Sequence, residues 1–376
     1  MSANLTNFAA LTNEQKTVWS RDFWRQARNN SFIMQFAGQG PNALVQQVTD
    51  LTKNEKGARA VLTLIAELEG DGAVGDYTLE NNEEAVKAYD TVIRIDQMRN
   101  ANRIAGRMAD QKSIVNFRET SRDVLAYWYA DRIDQLAFLT LAGVGYDKRP
   151  NGATRPTGAT GLNLSDLEFA ADVSAPSANR HLIANADGTV GTGDLTSTGN
   201  IGYKTIVNLK AYAKDHYIRG VKGAGGAEMY HMFVTPQIMA QLKLDTDFIA
   251  NVRNAGIRGD SNALFQGSES VMVDGVMVHE FRHVYHTDQA AAGSKFGAAG
   301  DVDGTRTLFC GAQALGMADL GNAEWYEDEF DYGNQYAISV SKILGFLKPK
   351  YKPVANTTST PNTKEDFGVI ALDVAN

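Results

Sequence analysis

The sequence predicts an α+β fold, and three observations carry that expectation. Residues 112–142 read as one unusually long helix. Two extended runs between residues 60 and 97 are joined by a glycine-rich acidic segment. After residue 201, helical and extended patterns alternate again. A long rod, a long two-stranded loop and a mixed remainder describe a scaffold better than a compact pocket.

Composition bounds the function. At 376 residues the chain predicts two to three domains at roughly 150 residues each, or one large domain with insertions. Hydrophobic residues make up 43% and charged residues 21%, which excludes global disorder. The net charge of −8 argues against a protein built to grip nucleic-acid phosphates. The one cysteine, Cys310, excludes an intrachain disulfide framework and any multi-cysteine metal site. Its apolar neighbour Phe309 suits a buried thiol. The first seven residues carry no positive charge and lead into no apolar run, and no window reaches the roughly 18 apolar residues of a spanning helix. Neither a secretory signal nor a membrane partner is expected.

Taken in order, residues 1–45 form an arm. Its segment 13–30 reads as a helix, with Asn13 as a possible cap and with Trp19, Phe23 and Trp24 available to dock on the body of this chain or on a neighbour. Residues 46–110 hold the extended loop and its flanking strands. Residues 60–68 and 89–97 alternate as strands, and the joining segment, with Glu80, Glu83 and Glu84, is too long for a tight turn. Residues 111–200 open with the helix at 112–142, where Ile114, Phe117, Val124, Leu125, Trp128, Ile133, Leu136 and Leu139 recur at mostly helical spacing. Asp110 or Ser113 can cap it, Glu119 and Arg122 can pair one turn apart, and Gly143 and Gly145 stop it. About 30 residues at 1.5 Å rise make a spine of roughly 45 Å.

Residues 146–200, rich in Gly, Thr, Ser, Asn and Asp, read as a surface insertion with room for short strands. In 201–335, residues 229–234 are strand-like, Thr235-Pro236 opens a helix, and Val271 to Val278 forms a hairpin around Asp274-Gly275. Residues 336–376 supply a half-buried return strand and then a C-terminal tail, with 353–364 lacking any core of its own.

One enzyme signal stands out: His279-Glu280-Phe281-Arg282-His283 matches the H-E-x-x-H pattern of zinc hydrolases, which requires a helix to bring both histidines onto one ion. Here it follows a hairpin strand and continues in β-branched and aromatic residues. In a strand the histidines would stand about 13 Å apart, and the polar-strand reading is preferred. The glycine clusters at 188–193 and 220–226 lack the context of phosphate-binding loops, and Arg258-Gly-Asp260 is a chance match. No catalytic residue, cofactor or metal is assigned. The charges near the long loop are more informative. Glu80, Glu83 and Glu84 lie at its bend, and Arg94, Arg99, Arg103 and Arg107 follow. Single exposed ion pairs contribute roughly 0–1 kcal/mol, but repeated over many symmetric copies they can set register between subunits.

At this point the residues resemble a known family. Gly70-Asp-Gly-Ala-Val-Gly-Asp-Tyr-Thr-Leu-Glu-Asn-Asn-Glu-Glu84, Arg94-Ile-Asp-Gln-Met-Arg99 and Trp128-Tyr-Ala-Asp-Arg-Ile-Asp134 are similar to hallmark segments of the tailed-phage major capsid proteins typified by the coliphage N4 subunit. Val18-Trp-Ser-Arg-Asp-Phe-Trp24, Phe36-Ala-Gly-Gln-Gly-Pro41 and Val273-Asp-Gly-Val276 are also similar. The resemblance is dense over 15–145 and continuous to about 350, while 146–200 and the tail depart from it. It implies the Hong Kong 97 capsid fold: an N-arm, an extended loop, a peripheral domain with the spine helix and an axial domain at 201–335.

The implied function is a shell subunit that forms pentamers and hexamers around double-stranded DNA, in the virion and, during assembly, the host cytoplasm. Portal, scaffolding and decoration proteins are the implied partners beside the chain itself. Trp19, Trp24, Glu80, Glu83, Glu84, Arg94 and Arg99 are the candidate inter-subunit contacts. A zinc hydrolase, or another phage structural protein such as a tail or decoration component, is the alternative.

Overall fold

A computed structural model describes residues 13–48, 59–65, 72–81, 83, 88–112, 116–223, 226–254, 270–351 and 365–376. The expected caps at Asn13, Asp110 and Ser113, Glu84, Ile114, the tripeptide at 258–260 and the stretch 353–364 lie outside the residues or side chains so described.

The spine helix spans Phe117–Ala142, 26 residues and about 39 Å long at 1.5 Å per residue. It starts later than periodicity alone suggests, because Asn116 is the cap: its side chain accepts from the Arg118 N–H. A separate short helix, Arg107–Lys112, precedes it. The first half is amphipathic, with Val124 and Tyr127 exposed, whereas residues 133–142 are buried on every side. That half, buried all round and mostly apolar, makes the helix a core element rather than a surface rod. Gly143 ends it at φ 67, its N–H returning to the last-turn carbonyls of Leu139 and Thr140. A Cβ there would sit 2.5 Å from the Ser174 carbonyl oxygen, so only glycine fits. The Glu119–Arg122 pair expected from spacing is replaced by Arg122 bound to Asp123 at 2.8 Å.

Two sheets flank this helix. The first is six-stranded. Its path runs Ala37–Gly38, Val45–Val48, Leu315–Asp319, Gln335–Leu347 and Glu324–Phe330, and Asp96–Arg103 pairs along the other side of Gln335–Leu347. Residues 315–330, grouped by sequence with 201–335, therefore belong with the return strand. The reason is the long Gln335–Leu347 strand, which is the template for both neighbours.

The second sheet has eight strands. Its path is Ser270–Val273, Val276–Glu280, Glu228–Val234, Gly304–Cys310, Val369–Ala375, His181–Ala184 and Val190–Gly191, and Val221–Lys222 joins Glu228–Val234. The Asp274-Gly275 hairpin forms as expected, both residues having positive φ (46 and 76), as a two-residue turn of right-handed strands demands. The helix Pro236–Leu244 follows Thr235, but the Thr235 hydroxyl meets Thr305 Oγ1 at 3.1 Å instead of capping.

Two sequence expectations are corrected here. The 146–200 segment does hold short strands, His181–Ala184 and Val190–Gly191, but it is not confined to the surface: Tyr146 and Phe169 are buried in the main core. Its few large apolar residues are the ones that matter. The chain's end is not a tail either. Val369–Ala375 is buried at every position, antiparallel to Gly304–Cys310 on one side and parallel to His181–Ala184 on the other. A run of Val-Ile-Ala-Leu with no alternation is what a strand covered on both faces requires. The one carboxylate in that run, Asp373, is matched by Arg306 (2.8 and 3.0 Å) and by His181 (2.7 Å). Burial opposes its charge, yet Arg306 and His181 hold its carboxyl below the usual range.

Residues 59–65 and 88–94 pair antiparallel, Arg59 opposite Arg94 and Ile65 opposite Ala88, as a separate two-stranded ribbon. The chain breaks strand at Ile95 and continues as Asp96–Arg103 in the first sheet. The ribbon is rooted in the body, and the acidic segment lies beyond it.

Candidate functional site

The H-E-x-x-H match falls on a strand end and a turn. His279 and Glu280 close Val276–Glu280, and residues 282–284 form turn and bend, so only the first half of the motif lies on the strand. His279 Nε2 lies 3.0 Å from His231 Nδ1, the two rings stacked at 5.3 Å. Phe36 and Phe233 close around His279 at 5.1 and 5.5 Å. Burial, with His231 beside it, lowers the His279 pKa to about 4. His283 instead bonds Asp131 Oδ1 on the spine helix at 2.7 Å, a bond that pulls the Asp131 carboxyl below its ordinary range. The two histidines thus serve different neighbours: one an aromatic nest, the other an acid on a helix. Among the described residues, no group of three or more His, Cys, Asp or Glu could hold a metal ion. His279 and His283 therefore do not face one ion, and the H-E-x-x-H match loses the geometry a zinc hydrolase needs. Cys310 is fully buried and its thiol pKa is pushed up by burial, which suits packing and not nucleophilic chemistry.

The arm's tryptophans lie on the body of the same chain. Trp19 meets Trp325 at 5.8 Å, with the Arg122 guanidinium 5.3 Å over its ring. Trp24 is buried beneath the Lys342 ammonium at 3.8 Å, and Lys342 itself bonds Asp319 and the Gly321 carbonyl. Of the two docking partners open to the arm, the structure fills the first.

The arm is also clasped by a residue that sequence reasoning missed. Asp134 sits buried on the spine helix and accepts from Ser31 Oγ at 2.7 Å, Phe32 N–H at 2.9 Å and Ile33 N–H at 3.0 Å. Desolvation raises its pKa, opposed by those same bonds. The available signal was an acid placed inside the helix's apolar stripe.

The charges around the loop divide. Glu80 and Glu83 are exposed, as is every described residue of 72–83. Arg94, by contrast, pairs with Asp172 of its own chain at 3.4 Å. Arg103 stacks on Phe330 at 4.4 Å, and Arg107 bonds the Gly333 carbonyl and Tyr336 hydroxyl, both at 3.1 Å. Arg99 is exposed on the strand Asp96–Arg103. The basic run after the loop is therefore largely committed within the chain, holding the 324–336 hairpin, which Arg118 also binds through Glu327 at 2.8 and 2.9 Å.

A second feature missing from the sequence reading is a stripe of Arg21, Arg25 and Arg28 on the outer face of the arm helix Asn13–Asn30, all exposed. Their spacing of four and three residues was the signal, since it places all three on one helical face.

Comparison with known proteins places these features in a family context. The family model described as phage capsid protein matches residues 7–376. A protein named major capsid protein from Pseudomonas phage KPP25 is 58% identical over 382 residues, covering 100% of this chain and 99% of the relative. Among solved structures, the capsid of Ralstonia phage GP4 superposes with TM-score 0.72 at 24% identity, covering 100% of this chain and 95% of that one. The capsid of cyanophage Pam1 gives 0.67 at 16% identity, covering 99% of each.

Proposed function

The chain belongs to the phage capsid protein family, and from that membership we propose how its parts divide the work of building a shell. It is a tailed-phage major capsid protein of the Hong Kong 97 fold, a structural protein and not an enzyme, whose copies self-assemble into an icosahedral shell enclosing DNA. The observation that carries this is full-length identity of 58% to a major capsid protein.

Finer roles rest on chemistry. The copies assemble as pentamers and hexamers around double-stranded DNA, beginning in the host cytoplasm and ending in the virion. The spine helix with the six-stranded sheet forms the peripheral domain, and most of the eight-stranded sheet forms the axial domain. The segment 70–84 overlies a neighbouring subunit: its described residues are exposed without exception, a poor arrangement for apolar side chains unless another surface covers them. A net charge of −8 suits a container that holds DNA without gripping it. Portal, scaffolding and decoration proteins complete the particle.

The test is negative-stain microscopy of purified protein, where closed shells or capsomers are expected. Replacing Glu80, Glu83 and Glu84 together with alanine should abolish shells while leaving the subunit folded by circular dichroism. Normal shells from that variant would sink the role given to the segment.

A further inference from the structure

We infer that the acidic segment 72–83 of one copy seats in an arginine-rimmed cleft on the arm helix of a second copy. The inference rests on the reading that this segment overlies a neighbour, and it names the seat.

The arm helix turns Phe23 and Trp24 inward and carries Arg21, Arg25 and Arg28 outward. Asp22 takes Arg25 at 3.1 Å, but no described carboxylate pairs with Arg21 or Arg28. Beside this stripe lies a cleft of about 470 Å³, its rim formed by the three arginines and its floor including the buried Trp24 and Met34. Planar guanidiniums above an apolar floor suit an extended peptide that offers carboxylates and apolar side chains together.

Among the described residues, the hairpin at 324–331 and the segment 72–83 carry such chemistry. The hairpin at 324–331 has already committed much of its own: Glu327 is held by Arg118 and Phe330 is covered by Arg103. The segment 72–83 has committed none among the described residues. No described cation pairs with Asp76, Glu80 or Glu83, and Val74, Tyr77 and Leu79 are 73%, 83% and 55% exposed. Its acids match the rim and its apolar side chains match the floor. The occupant is therefore a second copy of this chain, not the phosphate backbone of nucleic acid, which would satisfy the rim and leave Tyr77 and Leu79 uncovered.

Charge exchange tests the seat. Arg21→Glu with Arg25→Glu and Arg28→Glu, and separately Glu80→Arg with Glu83→Arg, should each reduce shell yield about tenfold or more by like-charge repulsion. All five positions are exposed, and the one pair lost, Asp22–Arg25, is itself exposed, so each variant's melting as a free subunit should change little. Combining the five substitutions should recover shells. If both parents are defective and the combination is no better, the segment reaches a neighbour at a different seat and this inference fails alone. If Glu80→Arg with Glu83→Arg assembles normally, the underlying reading fails with it. An arginine variant that makes normal shells with reduced DNA content would mark the cleft as a phosphate site and overturn the proposal. A second measurement is independent of yield. Shells carrying Glu83→Cys and Arg28→Cys, treated with a short bis-maleimide, should give a ladder of covalent multimers, because Cys310 is buried and silent. Assembled shells without that ladder would overturn the inference.

Discussion

The strand Val369–Ala375 and the segment 72–83 are opposites. Every residue of the first is buried and every described residue of the second is exposed, yet both mix apolar side chains with carboxylates. The strand's acid, Asp373, has Arg306 and His181, and its apolar residues have sheet neighbours on both sides. The segment's acids and its Tyr77 have nothing comparable within the described chain. One region is completed by the fold, while the other awaits a second copy. The contrast predicts that substitutions in the first act on subunit stability and substitutions in the second act on assembly.

The largest expected effect is at Asp373. Asp373→Ala leaves the Arg306 guanidinium buried without its main partner, and breaking such a pair costs about 3–5 kcal/mol. Chemical denaturation of the unassembled subunit should register that loss, and a loss below about 1 kcal/mol would show that the end strand is less integral than its burial implies. Asp134→Ala comes next. It removes three hydrogen bonds to the arm, offset in part by relief of a costly buried charge, for a net loss of about 2 kcal/mol. Limited proteolysis should then cut near 31–36, where the wild type resists. Gly143→Ala should cost about 1–2 kcal/mol for the left-handed backbone alone, more if Ser174 cannot move. An unchanged melting point would contradict the tight approach seen there.

Acid response sharpens the same division, because it probes the interior of the subunit and not its surface. His279 stays neutral in the fold down to about pH 4, whereas its ordinary pKa is 6.5. Between those values the unfolded chain binds the extra proton, so subunit stability falls as pH drops through that window. His279→Gln should flatten this part of the pH–stability curve. An unaltered curve would place the acid sensitivity elsewhere.

Much of the fold was legible because it follows local rules. The arm helix, the Asp274-Gly275 hairpin and the long Gln335–Leu347 strand follow from periodicity and turn chemistry, and the spine helix was found but misplaced at its start. What escaped notice depends on contacts far apart in sequence. Asp134 matters because residues 31–33 come to it, and Val369–Ala375 is a strand because Gly304–Cys310 and His181–Ala184 receive it. The polar stretch at 353–364 made the chain's end look dispensable. Among the candidate contacts, Glu80, Glu83 and Arg99 are exposed, whereas Trp24 and Arg94 are engaged within the chain. Residue type alone does not tell those cases apart, since an arginine before a partner and an arginine already paired look the same in sequence.

The smallest effect on the subunit is expected at the apolar side chains of the segment, and it isolates the contrast from charge. Tyr77→Ser with Leu79→Ser removes two exposed groups that touch no buried core, so free-subunit stability should stay within about 0.5 kcal/mol of wild type. Were the segment merely a solvated loop, assembly would be equally indifferent. Were it an inter-subunit strap, the loss of buried apolar surface recurs at each copy in the shell, and dissociation by denaturant should begin at a lower concentration than for wild-type particles. Stable subunits in fragile shells are the expected pair of results. A destabilised subunit would mean that the segment folds back on its own chain, and would erase the contrast with Val369–Ala375.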